Sequence, residues 1–154
     1  MTNRMKTAGI VFLILSITWS MVIWSFSLKN AESSSVDSDS AKSVVESILE
    51  TFFGEQIDID NKLIRKLAHF CEFAVLGFFN FMTFYFFECR KGWELIFYPA
   101  LWELVVAGID EFLQLFFEGR SAQFSDVLLD MSGALSTVLI LTVMLRLTNK
   151  KSRI

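Results

Sequence analysis

Apolar residues in this chain collect into four long runs, 8–28, 67–87, 95–117 and 124–147, divided by polar stretches. Run length is the informative quantity. A helix rises 1.5 Å per residue, so about 20 apolar residues cross the roughly 30 Å hydrocarbon core of a bilayer. The first run, "AGIVFLILSITWSMVIWSFSL", holds no charge; the other three carry charges, mostly near one end. Each predicts a transmembrane helix. Residues 29–40, "KNAESSSVDSDS", read as loop. Residues 41–54 follow a different pattern. Val44, Val45, Ile48, Leu49, Phe52 and Phe53 recur at helical spacing, with Lys42, Ser43, Glu46, Ser47 and Glu50 on the other face. Ser40 suits an N-cap and Gly54 a C-cap. This stretch is too short to span and predicts an amphipathic helix at about 41–53 on the outer membrane surface. Residues 55–61, "EQIDIDN", form an acidic connector.

Basic residues orient the spans. Arg4 and Lys6 precede the first run, Arg90 and Lys91 lie between the second and third, and Arg146, Lys150, Lys151 and Arg153 close the chain. The opposite side holds Lys29, Lys42, Lys62, Arg65, Lys66 and Arg120, diluted among acids. Cytoplasmic loops near helix ends carry the Lys/Arg excess. The predicted fold is therefore an all-α membrane protein with four transmembrane helices and both termini inside. Its segments are a cytoplasmic N-terminus 1–7, spans 8–28, 67–87, 95–117 and 124–147, outer loops 29–66 and 118–123, a cytoplasmic loop 88–94 and a tail 148–154. The first run is longer than the 7–15 apolar residues of a signal peptide and lacks a small-x-small site, so it reads as a retained anchor.

Composition agrees. The 154 residues are 53% hydrophobic, with 17 Phe and a single Pro, Pro99, against about 45–50% apolar in ordinary domains. A net charge of −3 says little by itself, and no nucleic-acid partner is expected. Cys71 and Cys89 sit 18 residues apart, about 27 Å along a helix, too far to bridge, and read as packing residues. The sequence has no CxxC pair, Gly-rich phosphate loop or internal repeat, and it assigns no metal and no cofactor.

Ionisable groups at membrane depth face a cavity or one another. Arg65, His69, Glu72 and Leu76 share one face at the outer end of the second span, with Lys66 beside them. Asp110, Glu111 and Gln114 occupy the last turns of the third; Asp110 and Gln114 are co-facial, and adjacent Asp110 and Glu111 cannot both face the same way. Asp126, Asp130 and Gly133 share a face in the first turns of the fourth. The predicted topology brings all three clusters within about 10 Å of the outer surface. With Arg120 in the loop they form one polar site in the outer leaflet. The bland reading is that these groups only pin helices together, at about 0.6 kcal/mol per contact. Deeper, Asn80 suits an interhelical hydrogen bond, and Glu103 is a lone acid near the midplane. Gly119 reads as a turn before Arg120. Gly133 and Ala134, beside Ser132 and Ser136, allow close helix approach.

The stretches "RKLAHFCEFAVLG" (65–77) and "DEFLQLFFEGRSAQFSDVLLDMSGA" (110–134) resemble the VanZ-like family of bacterial membrane proteins over about 60–147. The matching positions are Arg65, Lys66, His69, Glu72 and Gly77, then Asp110, Glu111, Gln114, Gly119, Arg120, Asp126, Asp130 and Gly133. Phe73 stands where the family often has Tyr. The resemblance implies a plasma-membrane protein linked to low-level resistance to teicoplanin. Its partner would be a membrane lipid, a cell-wall precursor or the glycopeptide. The alternative is a membrane-embedded hydrolase or transferase acting on a lipid-linked phosphate. There His69 with Glu72 or Asp126 would supply the base, Arg65 and Arg120 would hold the phosphate, and Asp110, Asp126 and Asp130 offer oxygen ligands for a divalent ion. Against catalysis, the sequence pairs His69 with no obvious nucleophile, although Ser121, Ser125 and Cys71 lie near in sequence. Four spans are few for a transporter, and only Asn80 and Glu103 would mark a path through its core.

Overall fold

The computed structural model describes residues 3–28, 39, 42–48, 50–51, 59–87, 93–117 and 123–151, and the regular structure among them is helical. Helix α1 spans Asn3–Ser27, a short α2 covers 42–48, α3 spans Asn61–Phe86, α4 Glu94–Gln114 and α5 Phe124–Lys151. Helix α3 starts earlier than its apolar run. Asp60 adopts an extended backbone and its carboxylate accepts the Lys62 N–H at 3.0 Å, an N-cap that fixes the start at Asn61. Arg65 and Lys66 therefore lie within the helix rather than in the loop before it.

Side-chain pairs give the directions. Helix α1 runs antiparallel to α3: Phe12 stacks on Phe86 at 5.6 Å, Ser16 reaches Asn80, and the Trp19 indole donates to the Glu72 carbonyl at 2.9 Å. Helix α4 is also antiparallel to α3, with Phe84 stacked on Tyr98 at 5.4 Å and Asn80 bonded to Glu103. Helix α5 is parallel to α3, since Lys66 meets Asp126 and Gly77 lies against Ala134. So α3 is the central helix, touching α1, α4 and α5. The C-terminal ends of α1 and α4 and the N-terminal ends of α3 and α5 share one end of the bundle. One apolar core cluster joins Ile23, Phe73, Leu76, Val106, Ala107 and Ala134; another joins Phe81, Leu95 and Val138.

The outside of the bundle is apolar. Ile10, Ile14 and Met21 on α1, Leu101, Leu104 and Val105 on α4, and Ile140, Val143 and Met144 on α5 are exposed, while Ser16, Asn80, Glu103, Asp110 and Asp130 are buried. A protein folded for water shows the opposite arrangement. Helices α1, α3 and α5 are long and apolar enough to cross a membrane. Helix α4 carries Glu94, Glu103, Asp110 and Glu111, so among the described residues length and composition support three of the four expected spans.

Part of the predicted surface helix is present. Residues 42–48, 50 and 51 are helical, Lys42 pairs with Glu46 at 3.6 Å, and Val44 and Ile48 are exposed. Glu46 Oε1 also accepts the Ile59 N–H at 3.0 Å, tying α2 to the segment before α3. The expected caps Ser40 and Gly54, and Leu49, Phe52 and Phe53, lie outside the described residues. Cys71 is exposed rather than packed, and Cys89 lies outside the described residues.

Helices α3 and α5 cross closely enough to exclude side chains. A Cβ on Gly77 would stand 2.7 Å from the Ala134 carbonyl oxygen, and one on Gly133 would collide with the Phe70 carbonyl oxygen. Gly108 on α4 meets nothing within 4 Å. Gly77→Val and Gly133→Val are each expected to lower stability by about 1–3 kcal/mol or more through overpacking. Gly108→Ala is expected to be neutral or to gain up to about 1 kcal/mol from helix propensity. Thermal unfolding of the three detergent-purified variants checks this order, and a destabilised Gly108→Ala beside native-like Gly133→Val would refute it.

Candidate functional site

The shared end of the bundle gathers the ionisable groups. Lys66 Nζ lies 3.0 Å from Asp126 Oδ1, joining the first turns of α3 and α5. One turn deeper, His69 Nδ1 lies 3.8 Å from Asp130 Oδ1 and 4.0 Å from Asp110 Oδ2, so this histidine stands between α4 and α5. Asp110 is fully buried and held from two sides. Its Oδ1 accepts the Ser27 hydroxyl at 2.6 Å and its Oδ2 accepts the Gln114 amide at 3.0 Å. The i, i+4 relation of Asp110 and Gln114 thus becomes a hydrogen bond. Glu111 turns the other way, and its Oε2 accepts the Gln123 N–H at 2.8 Å, fastening the start of α5. Asp130 is 1% exposed, and its Oδ1 has no hydrogen-bond partner among the described residues.

Of the ten residues singled out from the sequence, seven line one cleft: Arg65, Lys66, His69, Glu111, Gln114, Asp126 and Asp130, with Leu129 beside them. Its free volume is about 10 Å³, room for one water or a bare ion. Asp110 stands behind His69 rather than on the lining. Glu72 is half-buried and does not line the cleft. Arg120, with Gly119 before it, lies outside the described residues. Phe73 is fully buried against Ile23, Leu76 and Val106, so its ring serves the core and not the polar layer. A separate apolar groove of about 500 Å³ runs between α1 and α4 and shares no lining residue with the cleft.

A second polar link lies deeper. The Ser16 hydroxyl donates to Asn80 Oδ1 at 2.5 Å, and Asn80 Nδ2 donates to Glu103 Oε1 at 2.6 Å. This ladder joins α1, α3 and α4. Asn80 makes the expected interhelical bond, and it is the partner of Glu103 that the sequence left unnamed. The α1 contributors were missed. Ser16 and Ser27 carry hydrogen bonds, and with Gly9, Ser20 and Ile23 they are the buried residues of α1. Their signal was a stripe of small residues four and seven apart on an otherwise uniformly apolar span.

The ladder makes a specific prediction. Asn80→Leu leaves Glu103 and Ser16 without their shared partner and is expected to lower stability by about 1–3 kcal/mol. Adding Glu103→Met removes the stranded acceptor and is expected to restore most of that loss, since replacing both partners with apolar groups is nearly neutral. Unfolding midpoints of the single and double variants measure it, and additive losses would contradict the ladder.

The family model described as VanZ/LLP1 matches residues 12–145. No curated protein and no solved structure matches the chain. The matched stretch begins within α1 and reaches far into α5, so it takes in the serines of α1 as well as the polar layer of α3, α4 and α5. The chain therefore belongs to the VanZ/LLP1 family of membrane proteins.

Proposed function

We propose that this protein crosses the bacterial plasma membrane four times with both termini inside. At the mouth of its outer-leaflet cleft it binds the phosphate of a lipid headgroup or lipid-linked cell-wall precursor, and so alters susceptibility to teicoplanin-type glycopeptides. The observation that carries this reading is the cationic rim. Arg65 and Lys66 are half-buried in the first turns of α3, above a layer of buried acids. The Lys66 side chain keeps 33% of its exposure beside Asp126, leaving ammonium donors for a second anion. The interior space of about 10 Å³ is far below the roughly 300–1,000 Å³ of a drug-sized pocket. A small headgroup seated on the rim suits this geometry better than a glycopeptide inside the cleft.

The four-span reading draws support from α4. Its acids Glu103, Asp110 and Glu111 are buried, while Phe97, Leu101, Leu104, Val105 and Phe112 are exposed. A helix with its charges inward and its apolar residues outward suits lipid despite its composition. Orientation follows from the basic segments. A cysteine placed at residue 35 is expected to react with an impermeant reagent from outside, and one at residue 151 is not.

Charge-assisted hydrogen bonds contribute about 1.5–3 kcal/mol each. Arg65→Gln and Lys66→Gln are therefore expected to weaken binding of anionic phospholipid, followed by native mass spectrometry, by about 10–100-fold. They should lower teicoplanin resistance while membrane abundance stays near the parent level. Unchanged lipid binding would refute the reading, and so would resistance that falls only in step with abundance.

A further inference from the structure

We propose that His69, Asp110 and Asp130 bind one divalent transition-metal ion of the zinc class. This inference does not rest on phosphate binding at the rim. The three side chains come from α3, α4 and α5, and one ligand atom from each lies within 4.8 Å of the others. A second observation points into the same spot. Asp130 lines the cleft and is 1% exposed, yet its Oδ1, the oxygen nearest His69, accepts no hydrogen bond among the described residues. A carboxylate oxygen removed from water without a donor is strongly unfavourable, and a cation supplies the missing partner.

The surroundings fit. Ser27 and Gln114 hold the Asp110 carboxylate from both sides, and its Oδ2 faces His69 Nδ1 at 4.0 Å. Outer hydrogen bonds of this kind orient metal ligands. One imidazole nitrogen with two carboxylate oxygens is a set that zinc accepts, whereas calcium takes six to eight oxygens. Tetrahedral ligands about 2.1 Å from zinc stand about 3.4 Å apart. The separations of 3.8 and 4.0 Å from His69 would need to close by about half an ångström, and that between the two carboxylates, within 4.8 Å, by up to about 1.4 Å. The fourth position would face the cleft. A dication would also offset two buried carboxylates. The competing arrangement is a protonated His69 bridging both acids without metal.

The test uses the full chain in detergent, stripped with a chelator and titrated with Zn²⁺, with bound metal counted by elemental analysis and stability followed by thermal unfolding. One Zn²⁺ per chain and a raised midpoint are expected. Asp130→Asn and His69→Gln should abolish both, Gln114→Ala should weaken binding by about 10–100-fold, and Asp126→Asn, whose carboxylate meets Lys66 instead, should bind as the parent does. Co²⁺ loaded into the unaltered protein should give the strong visible absorption of a four-coordinate site, a readout that needs no variant to fold. Arg65→Gln, which tests the phosphate reading, should leave metal binding unchanged. Absence of stoichiometric metal and of the cobalt band would overturn the proposal in favour of the imidazolium bridge. Equal loss in Asp126→Asn and Asp130→Asn would overturn it in favour of diffuse attraction to acids.

Discussion

Hydrocarbon offers no hydrogen-bond partner, so a polar side chain on a helix that meets lipid has to turn inward and find one there. Helix α4 sorts its residues in the same way, apolar outward and acids inward. Glu103, Asp110, Glu111 and Gln114 are all buried, and each is met by a group from elsewhere in the chain or along the helix: Asn80 for Glu103, Ser27 and Gln114 for Asp110, and the Gln123 N–H for Glu111. The donors lie largely on other elements. Helix positions are therefore coupled through acceptors that α4 cannot satisfy alone.

The close crossing of α3 and α5 provides the second half of that coupling. Small residues let the two backbones touch at Gly77 and Ala134, and at Gly133 and Phe70. Because the helices run parallel there, each step toward their N-termini brings another pair together: His69 with Asp130, then Lys66 with Asp126. The polar layer is thus an extension of a packing contact. Packing without a hydrophobic drive between helices depends on such small residues and on scattered polar contacts of about 0.6 kcal/mol each, so loosening the crossing would also spread the ligating atoms.

Depth sorts the chemistry of the layer. Arg65 and Lys66 sit outermost and half-buried, where charge is still hydrated. His69 and Asp130 lie one turn further in, with Asp110 behind them, around space for one water or ion. Ser16, Asn80 and Glu103 lie deeper still and line neither the cleft nor any part of its rim. The deepest ladder joins α1, α3 and α4.

Much of this was legible without coordinates. Run lengths revealed the long helices, because crossing a bilayer demands about 20 apolar residues whatever the neighbours are. Helical periodicity brought Arg65 and His69 onto one face, and Asp110 and Gln114 onto another, since that spacing is local. Periodicity also separated Glu111 from Asp110. It could not say that Glu111 would hold the start of α5, that Glu72 would miss the cleft, or that Ser16 and Ser27 would meet Asn80 and Asp110. Those pairings join residues distant in sequence on different helices. They depend on helix rotation and crossing distance, which are set by the fit of small residues between backbones and leave no periodic trace in a uniformly apolar span. The sequence alone determined which residues would seek the interior; only the tertiary structure decided which of them meet, because meeting depends on how closely one helix can approach the next.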